Sequence, residues 1–508
     1  AVGVDYSMFY LRREREERAR GTPERASLEA AAATSGRAVL VSGITVIIAM
    51  AGMYLAGAKT FTSFATGTIL VVAIAVVGSL TVLPAVLATL GDRVNKLRIP
   101  FLAPERRTGE SRFWTAILDR VLRHPVIAAA ASIAVLLVLA APALQIHTAT
   151  PGVETLPRDL PVMRTYDKIQ AAFPGSPAPA EVVLHGPNGT SFESQAALRD
   201  LTAIASRTSG FKEPITINRT QTNTAIAAEI PLVGDGTDAA SERALAKLRD
   251  ELIPQTVGRV DGLQADVTGI TASSKDFNDL MKQRVPIVFA FVLGLAFLLL
   301  LVTFRSIVIP IKAILLNLLS VSAAYGVITW VFQEGHLESA LGFRSTGSIV
   351  SWLPLFMFVI LFGLSMDYHV FILTRIREAY DNGMRTNEAV AHGIKSTAAV
   401  VTSAAVVMVA VFAIFASLSQ LIFKQVGVGL AVAVLIDATI IRALLLPAAM
   451  TLLGDWNWYL PRWLEWLPRV TPEPVAAPAA GGGDGAAPFA VPEETGEGGE
   501  RERVGGRG

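Results

Sequence analysis

Two short runs carry the residue types needed to hold and pass on a proton. GVDYSMFYLRRERE begins at Gly3 and GLSMDYHVFILTRIRE begins at Gly363. Each sets an aspartate beside a tyrosine in an apolar run that ends in arginines: Asp5 with Tyr6, and Asp367 with Tyr368. A charged carboxylate in the middle of a bilayer costs about 2.5–3.5 kcal/mol on insertion scales, so its presence needs a reason. Deprived of water, a carboxylate binds a proton more readily, and can load on one side of a membrane and unload on the other. The adjacent phenol can donate to the carboxylate and hold it in place. The rival use is structural, a buried hydrogen-bonded cluster that fixes helix packing. Two copies of the pair favour proton coupling, because each half of a repeated bundle would bring one arm to the centre.

Other polar residues in apolar runs read more weakly. Asp437 and Arg442 in LIDATIIRALLLP are expected as a structural ion pair towards one helix end. Ser42, Thr402 and Ser403 lie among small residues on the helix after each Asp-Tyr helix. Such residues let helices approach closely, and these hydroxyls can also support the relay. His369 follows the second pair and on a helix points about 100° away from Tyr368, which reads as a packing position. Lys312, near the start of its span, is expected to snorkel to the cytoplasmic interface. There are no cysteines and six histidines, none in an HExxH spacing, and no Gly-Lys dipeptide. A thiolate metal site, a thiol nucleophile and a Walker A loop are therefore excluded. No nucleophile–base set is visible, so the chain reads as a non-enzyme with no cofactor and protons as the coupling ion.

The elements that would position these residues are membrane helices. Of 508 residues, 52% are hydrophobic and 17% charged, which is too apolar for an ordinary soluble protein. A spanning helix needs about 20 mostly apolar residues. Stretches that qualify are roughly 37–57, 64–90, 124–146, 285–304, 308–332, 350–373, 397–417 and 424–453, after a remnant ending near Leu11. Basic residues concentrate in 12–37, 91–123 and 374–395, which places those loops in the cytoplasm. With a net charge of +1 there is no case for nucleic acid as a partner. The polar stretch 147–284 lies on the other side, and its alternating strand and helix patterns predict a small α+β domain. Strands are expected near 181–186, 223–233 and 263–270. Helices are expected near 191–207, capped by Ser191 with Glu193 at the second helical position, and near 238–253. The segment GDWNWYLPRWLEWLPRV after Leu453 reads as an amphipathic helix in the interface. The tail from Thr471 reads as disordered.

The halves repeat. Asp5-Tyr6 matches Asp367-Tyr368, Gly21 matches Gly383, AVLVSG (38–43) matches AVVTSA (399–404), and LPAVLATLGD (83–92) matches LPAAMTLLGD (446–455). Both copies have the same orientation, a parallel repeat of the kind found in transporters.

These motifs, with ETLPRDLP (154–161), FRSIVIP (304–310) and LIDATIIRALLLPAAMTLLGDWNWYLP (435–461), resemble the MMPL (mycobacterial membrane protein large) transporters of the resistance-nodulation-division superfamily. The resemblance runs over 1–468 and implies a polytopic α-helical bundle of twelve helices with two outward, porter-like domains. This chain would hold the end of the first repeat (1–92, from the remnant of helix 4 through helix 6), a cytoplasmic linker (93–123) and helix 7 (124–146). There would follow the second outer domain (147–284), helices 8–12 (285–453), the interfacial helix (454–470) and the tail (471–508). On this reading a first half would precede Ala1. The family's proton relay falls on Asp5, Tyr6, Asp367 and Tyr368, cross-paired as Asp5 with Tyr368 and Asp367 with Tyr6. The resemblance further implies proton-driven export of lipids or other hydrophobic molecules across a bacterial cell membrane. Partners would be membrane lipids, the lipid-like substrate, and an oligomer or accessory envelope proteins. Frequent Arg, Ala and Gly fit an actinobacterial source. Family members often carry an acidic residue where His369 stands. The alternative is a membrane scaffold or sensor of the same fold, with Asp-Tyr pairs that only pack.

Overall fold

Helix α1 (Val2–Ala19) leads into α2 (Glu24–Ala51) and α3 (Lys59–Leu80), which continues past Thr81 as α4 (Val82–Leu90). The computed structural model describes residues 2–19, 21–91, 112–152, 155–156, 160–172, 179–186, 190–219, 225–234, 236 and 238–467. The amphipathic α5 (Arg112–Arg123) precedes α6 (Pro125–Ala140) and a two-residue strand, β1 (Thr148–Ala149). The outer domain follows as α7 (Pro161–Ala172), β2 (Pro179–His185), α8 (Phe192–Arg207), β3 (Thr216–Arg219), β4 (Ile226–Pro231), α9 (Ala239–Lys247), the short α10 (Ile253–Gln255) and β5 (Gln264–Thr268). The chain returns through α11 (Ile270–Phe304), α12 (Val308–Ile328), a single turn α13 (Glu338–Leu341) and strand β6 (Ile349–Val350). It ends in α14 (Leu353–Asp381), α15 (Thr386–Ala416), α16 (Leu421–Ile436), a π-helical stretch (Asp437–Leu445) and α17 (Leu446–Leu453). Among the described residues eight helices are long and apolar enough to cross a membrane. The protein is a polytopic α-helical membrane protein with an α+β outer domain. Residues 93–111 of the expected linker and the tail 471–508 lie outside the described residues.

The repeat appears in the helix ends. Ala19 and Asp381, Glu24 and Thr386, and Lys59 and Leu421 bound corresponding helices and stand 362 residues apart in each case. Both copies end the Asp-Tyr helix alike. Gly21 N–H donates to Arg18 O and Thr22 N–H to Glu17 O, while Gly383 N–H donates to Tyr380 O and Met384 N–H to Ala379 O. This is a Schellman closure, which needs a left-handed residue, and the two glycines supply it at φ of 89° and 92°.

The outer domain runs β2–α8–β3–β4–α9–β5, with strand order β3-β4-β2-β5 and every neighbouring pair antiparallel. This is a split βαβ arrangement. Ser191 caps α8 by accepting from Ser194 N–H at 3.1 Å, and Asp238 caps α9 by accepting from Ser241 N–H at 2.9 Å. α11 has 35 residues, roughly 50 Å at the α-helical rise, well beyond the ~30 Å hydrocarbon core. Its polar first turns therefore rise into the outer domain, where Arg249 grips Asp276 through two bonds of 2.6 and 2.9 Å.

The foot of the outer domain is tied to the bundle. β1 pairs with β6 in parallel: Ile349 N–H donates to His147 O at 2.8 Å and Ser351 N–H to Ala149 O at 3.0 Å. Val350 N–H donates to Gln425 Oε1 at 3.1 Å.

At the opposite end the structure corrects one expectation. Lys312 does not snorkel; it is buried and donates to Asn457 Oδ1 at 2.9 Å. Asn457 is held there because its backbone carbonyl accepts from Ser306 Oγ at 2.6 Å and its amide donates to Met450 O and Gly454 O. The segment that carries Asn457 thus covers the lysine. That segment forms two 3-10 turns, Gly454–Trp458 and Arg462–Leu464, rather than the single interfacial helix expected over 454–470. Pro461 between them lacks the N–H a continuous helix would use. Trp456, Trp463 and Trp466 are exposed while Leu464 and Leu467 are buried.

Candidate functional site

α14 is apolar all round, the pattern of a helix surrounded by others. Every residue from Leu361 to Val370 is buried, which places Asp367 and Tyr368 at 6% and 2% exposure. One turn earlier Gly363 faces Val46, Ala49 and Met50 of α2, so the second Asp-Tyr helix packs on the first copy's following helix. In return Arg12 of α1 donates to the carbonyl of Ser396 on α15.

The first copy brings Tyr6 and Ser42 together. Tyr6 is 1% exposed and its hydroxyl accepts from Ser42 Oγ at 3.1 Å. Asp5 lies in α1, but its side chain is outside the described residues, and with it that half of the expected cross-pairing. Thr402 and Ser403 do not join Tyr368. Thr402 Oγ1 bonds to Ala398 O, and the exposed Ser403 bonds to Ala399 O and Val400 O of its own helix. The reason is register. The helix ends set the two copies 362 residues apart, so Ser42 corresponds to the buried Ala404 and not to Ser403. A one-residue slip turns a helical side chain by about 100°. On α15, Met408 meets Tyr368, its sulfur 3.9 Å from the hydroxyl.

Asp437 and Arg442 pair in the middle of their span rather than towards its end. In an α-helix residues five apart point well away from each other. Here they share the π-helical stretch Asp437–Leu445, whose wider turn brings positions i and i+5 into register. Arg442 bonds to Asp437 Oδ2, and Asp437 Oδ1 accepts from Ser365 Oγ at 3.0 Å. The guanidinium also reaches Ser365 O at 3.3 Å and stands 4.4 Å from the centre of the Tyr368 ring, a cation–π contact. The pair thus packs directly on the second Asp-Tyr unit, and Ser365 joins them. Sequence reading missed Ser365; its position half a turn before Asp367, on the wholly buried stretch of α14, was the available signal. The first copy has Ala75 and Ser79 near the corresponding places, so this charged cluster occurs once. His369 is 1% exposed, and its ring nitrogens have no hydrogen-bond partner among the described residues.

The arrangement has the parts for proton handling: a buried carboxylate, a phenol beside it, and a fixed cation against the phenol's face. The chain's sequence matches the MMPL family over residues 1–128 and 154–477. It is 40% identical over 483 residues to the mycolic acid-containing lipids exporter MmpL11 of Mycolicibacterium smegmatis, covering 93% of this chain and 49% of that protein. It is 38% identical over 482 residues to the heme uptake protein MmpL11 of Mycobacterium tuberculosis (91% and 48% covered). The trehalose monomycolate exporter MmpL3 of M. smegmatis is 30% identical over 500 residues (91% and 48%). The chain spans about half the length of these curated relatives. Among solved structures, SecDF of Thermus thermophilus, a translocon-associated membrane protein, superposes with a TM-score of 0.51 at 15% identity, covering 89% of this chain and 53% of that one. That likeness concerns the fold alone.

Proposed function

The chain belongs to the MMPL family, and from that membership we propose that it forms part of an exporter of lipids or other amphipathic molecules, driven by inward proton flow. The observation that carries the proposal is the burial of Asp367 and Tyr368, at 6% and 2% exposure, on the helix where the two repeats meet. A carboxylate kept there costs insertion energy, and proton coupling gives a reason for it. A proton moving inward releases about 2.3 kcal/mol per 100 mV of membrane potential. The lipid class rests on the names of the two M. smegmatis relatives, both lipid exporters. Heme, in the name of the M. tuberculosis relative, is the rival cargo.

The test reconstitutes the intact protein in vesicles with an imposed proton gradient and compares wild type with Asp367→Asn, using lipid and heme cargo in parallel. The variant should insert and fold, yet lose both cargo movement and proton uptake. Transport at the wild-type rate refutes coupling through Asp367 and leaves the Asp-Tyr pairs as packing groups, whereas a wild type that moves neither cargo nor protons favours the scaffold or sensor.

A further inference from the structure

Resting on the proton-coupled reading, we propose that a single internal water occupies the space between α12 and the Asp437–Arg442 pair, and that Asn317 is the residue that positions it. A cavity of about 10 Å³ lies at the bundle centre, walled by Asn317 and Ser320 of α12, Ser365 and Tyr368 of α14, and Asp437 and Arg442. That is about the space one water-sized sphere requires. Two N–H donors of these wall residues, Asn317 Nδ2 and Arg442 Nε, are buried and have no hydrogen-bond partner among the described residues. Asn317 is 1% exposed, so bulk solvent does not serve it. A buried donor left unsatisfied costs about 1–3 kcal/mol. One water relieves both, accepting from each through its two lone pairs. Its own two hydrogens then face a wall rich in oxygen acceptors: the hydroxyls of Ser320, Ser365 and Tyr368 and the Asp437 carboxylate. Internal waters make about three such bonds.

A water held this way links α12 to the hydroxyl of Tyr368. Both its lone pairs are taken, so the water carries no proton itself; donating to the Tyr368 oxygen, it turns the phenol's own O–H away from α12 and fixes the direction in which that proton can pass. The Asn317 amide does not titrate. It fixes the water's orientation, which makes it a positioning residue for proton transfer.

The experiment uses the intact protein in vesicles and infrared difference spectra recorded on acidification in ordinary water and in H2(18)O. Wild type should show an O–H stretch that shifts with the isotope. Asn317→Leu, which has a similar volume and no polar atom, should lose that band and slow proton uptake about ten-fold or more. Asn317→Ser, which keeps a hydroxyl and enlarges the cavity, should retain the band and recover uptake. A wild-type protein with no isotope-sensitive band overturns the proposal whether or not a variant folds. So does an Asn317→Leu protein with wild-type uptake. If Asp367→Asn transports normally, the coupling reading fails on its own, and the band decides the water separately: lost in Asn317→Leu it upholds the site, unchanged it overturns it.

Discussion

Replacing Arg442 with methionine should be among the most damaging single changes in the membrane core. The side chains of Arg442 and Asp437 are 5% and 9% exposed, so neither is rescued by solvent. Without the guanidinium, Asp437 keeps the Ser365 hydroxyl at 3.0 Å but faces no positive charge at contact distance. Removing one partner of a buried pair costs about 3–5 kcal/mol because the other charge stays uncompensated. The lost contact with the Tyr368 ring at 4.4 Å belongs within that figure, at about 0.5–2 kcal/mol for a desolvated cation–π pair. Replacing both partners by apolar residues of similar size, Asp437→Leu with Arg442→Met, removes both charges together and should be neutral or even stabilising. The double-mutant cycle should therefore show a coupling of about 3 kcal/mol or more. The assay is reversible unfolding of the intact protein in micelles, with the four proteins compared in one detergent. If the double variant loses as much as the two single losses added together, to within about 0.5 kcal/mol, the two side chains do not act as a pair and the reasoning is wrong.

Two further outcomes follow from the same contacts. Ser42→Ala should cost about 1 kcal/mol, the net worth of one buried hydrogen bond, because it removes the donor 3.1 Å from the Tyr6 hydroxyl; unchanged unfolding would show that the bond carries no weight. Asn457→Leu should cost about 1.5–3 kcal/mol for the lost acceptor of the buried Lys312 side chain, and about 0.5–1.5 kcal/mol more for each of the two amide bonds to Met450 O and Gly454 O. Adding Lys312→Met should recover the part due to the stranded lysine but not the two amide bonds, and a double variant no better than Asn457→Leu alone contradicts the assignment.

The features legible in the sequence are those set by short-range chemistry. Gly21 and Gly383 announce the end of the Asp-Tyr helices because only a left-handed residue closes them as seen. Ser191 and Asp238 announce helix starts because their oxygens reach back to the third following N–H. Strand β3 gives no such signal: all four of its residues are exposed, and a strand with no buried face shows no alternation. The π-helical stretch is equally silent. A spacing of five between Asp437 and Arg442 is off the α-helical period, so only the folded backbone reveals that they stack. The small-residue runs AVLVSG and AVVTSA align plausibly at either of two offsets, and the choice that matched Ser42 with Ser403 was one residue out. The fate of Lys312 depends on Asn457, 145 residues further on, a separation across which composition carries no information.

The two-residue ribbon at the foot of the outer domain acts as a mechanical linkage. β6 ends at Val350 and α14 begins at Leu353, leaving almost no slack between the strand and the helix that carries Asp367. The bonds from Ile349 to His147 and from Ser351 to Ala149 are together worth only about 1–3 kcal/mol, but they are short and parallel to one another. An axial slide of α14 by more than a fraction of an ångström must either shear them or drag β1 along. If they hold, displacement at the carboxylate is delivered to the base of the outer domain as a pull, and Gln425, bonded to Val350, enters α16 into the same linkage. Joined to its outer domain in this way, the bundle would transmit a stroke as a stiff rod does, over the distance between the buried acid and the domain it would have to move.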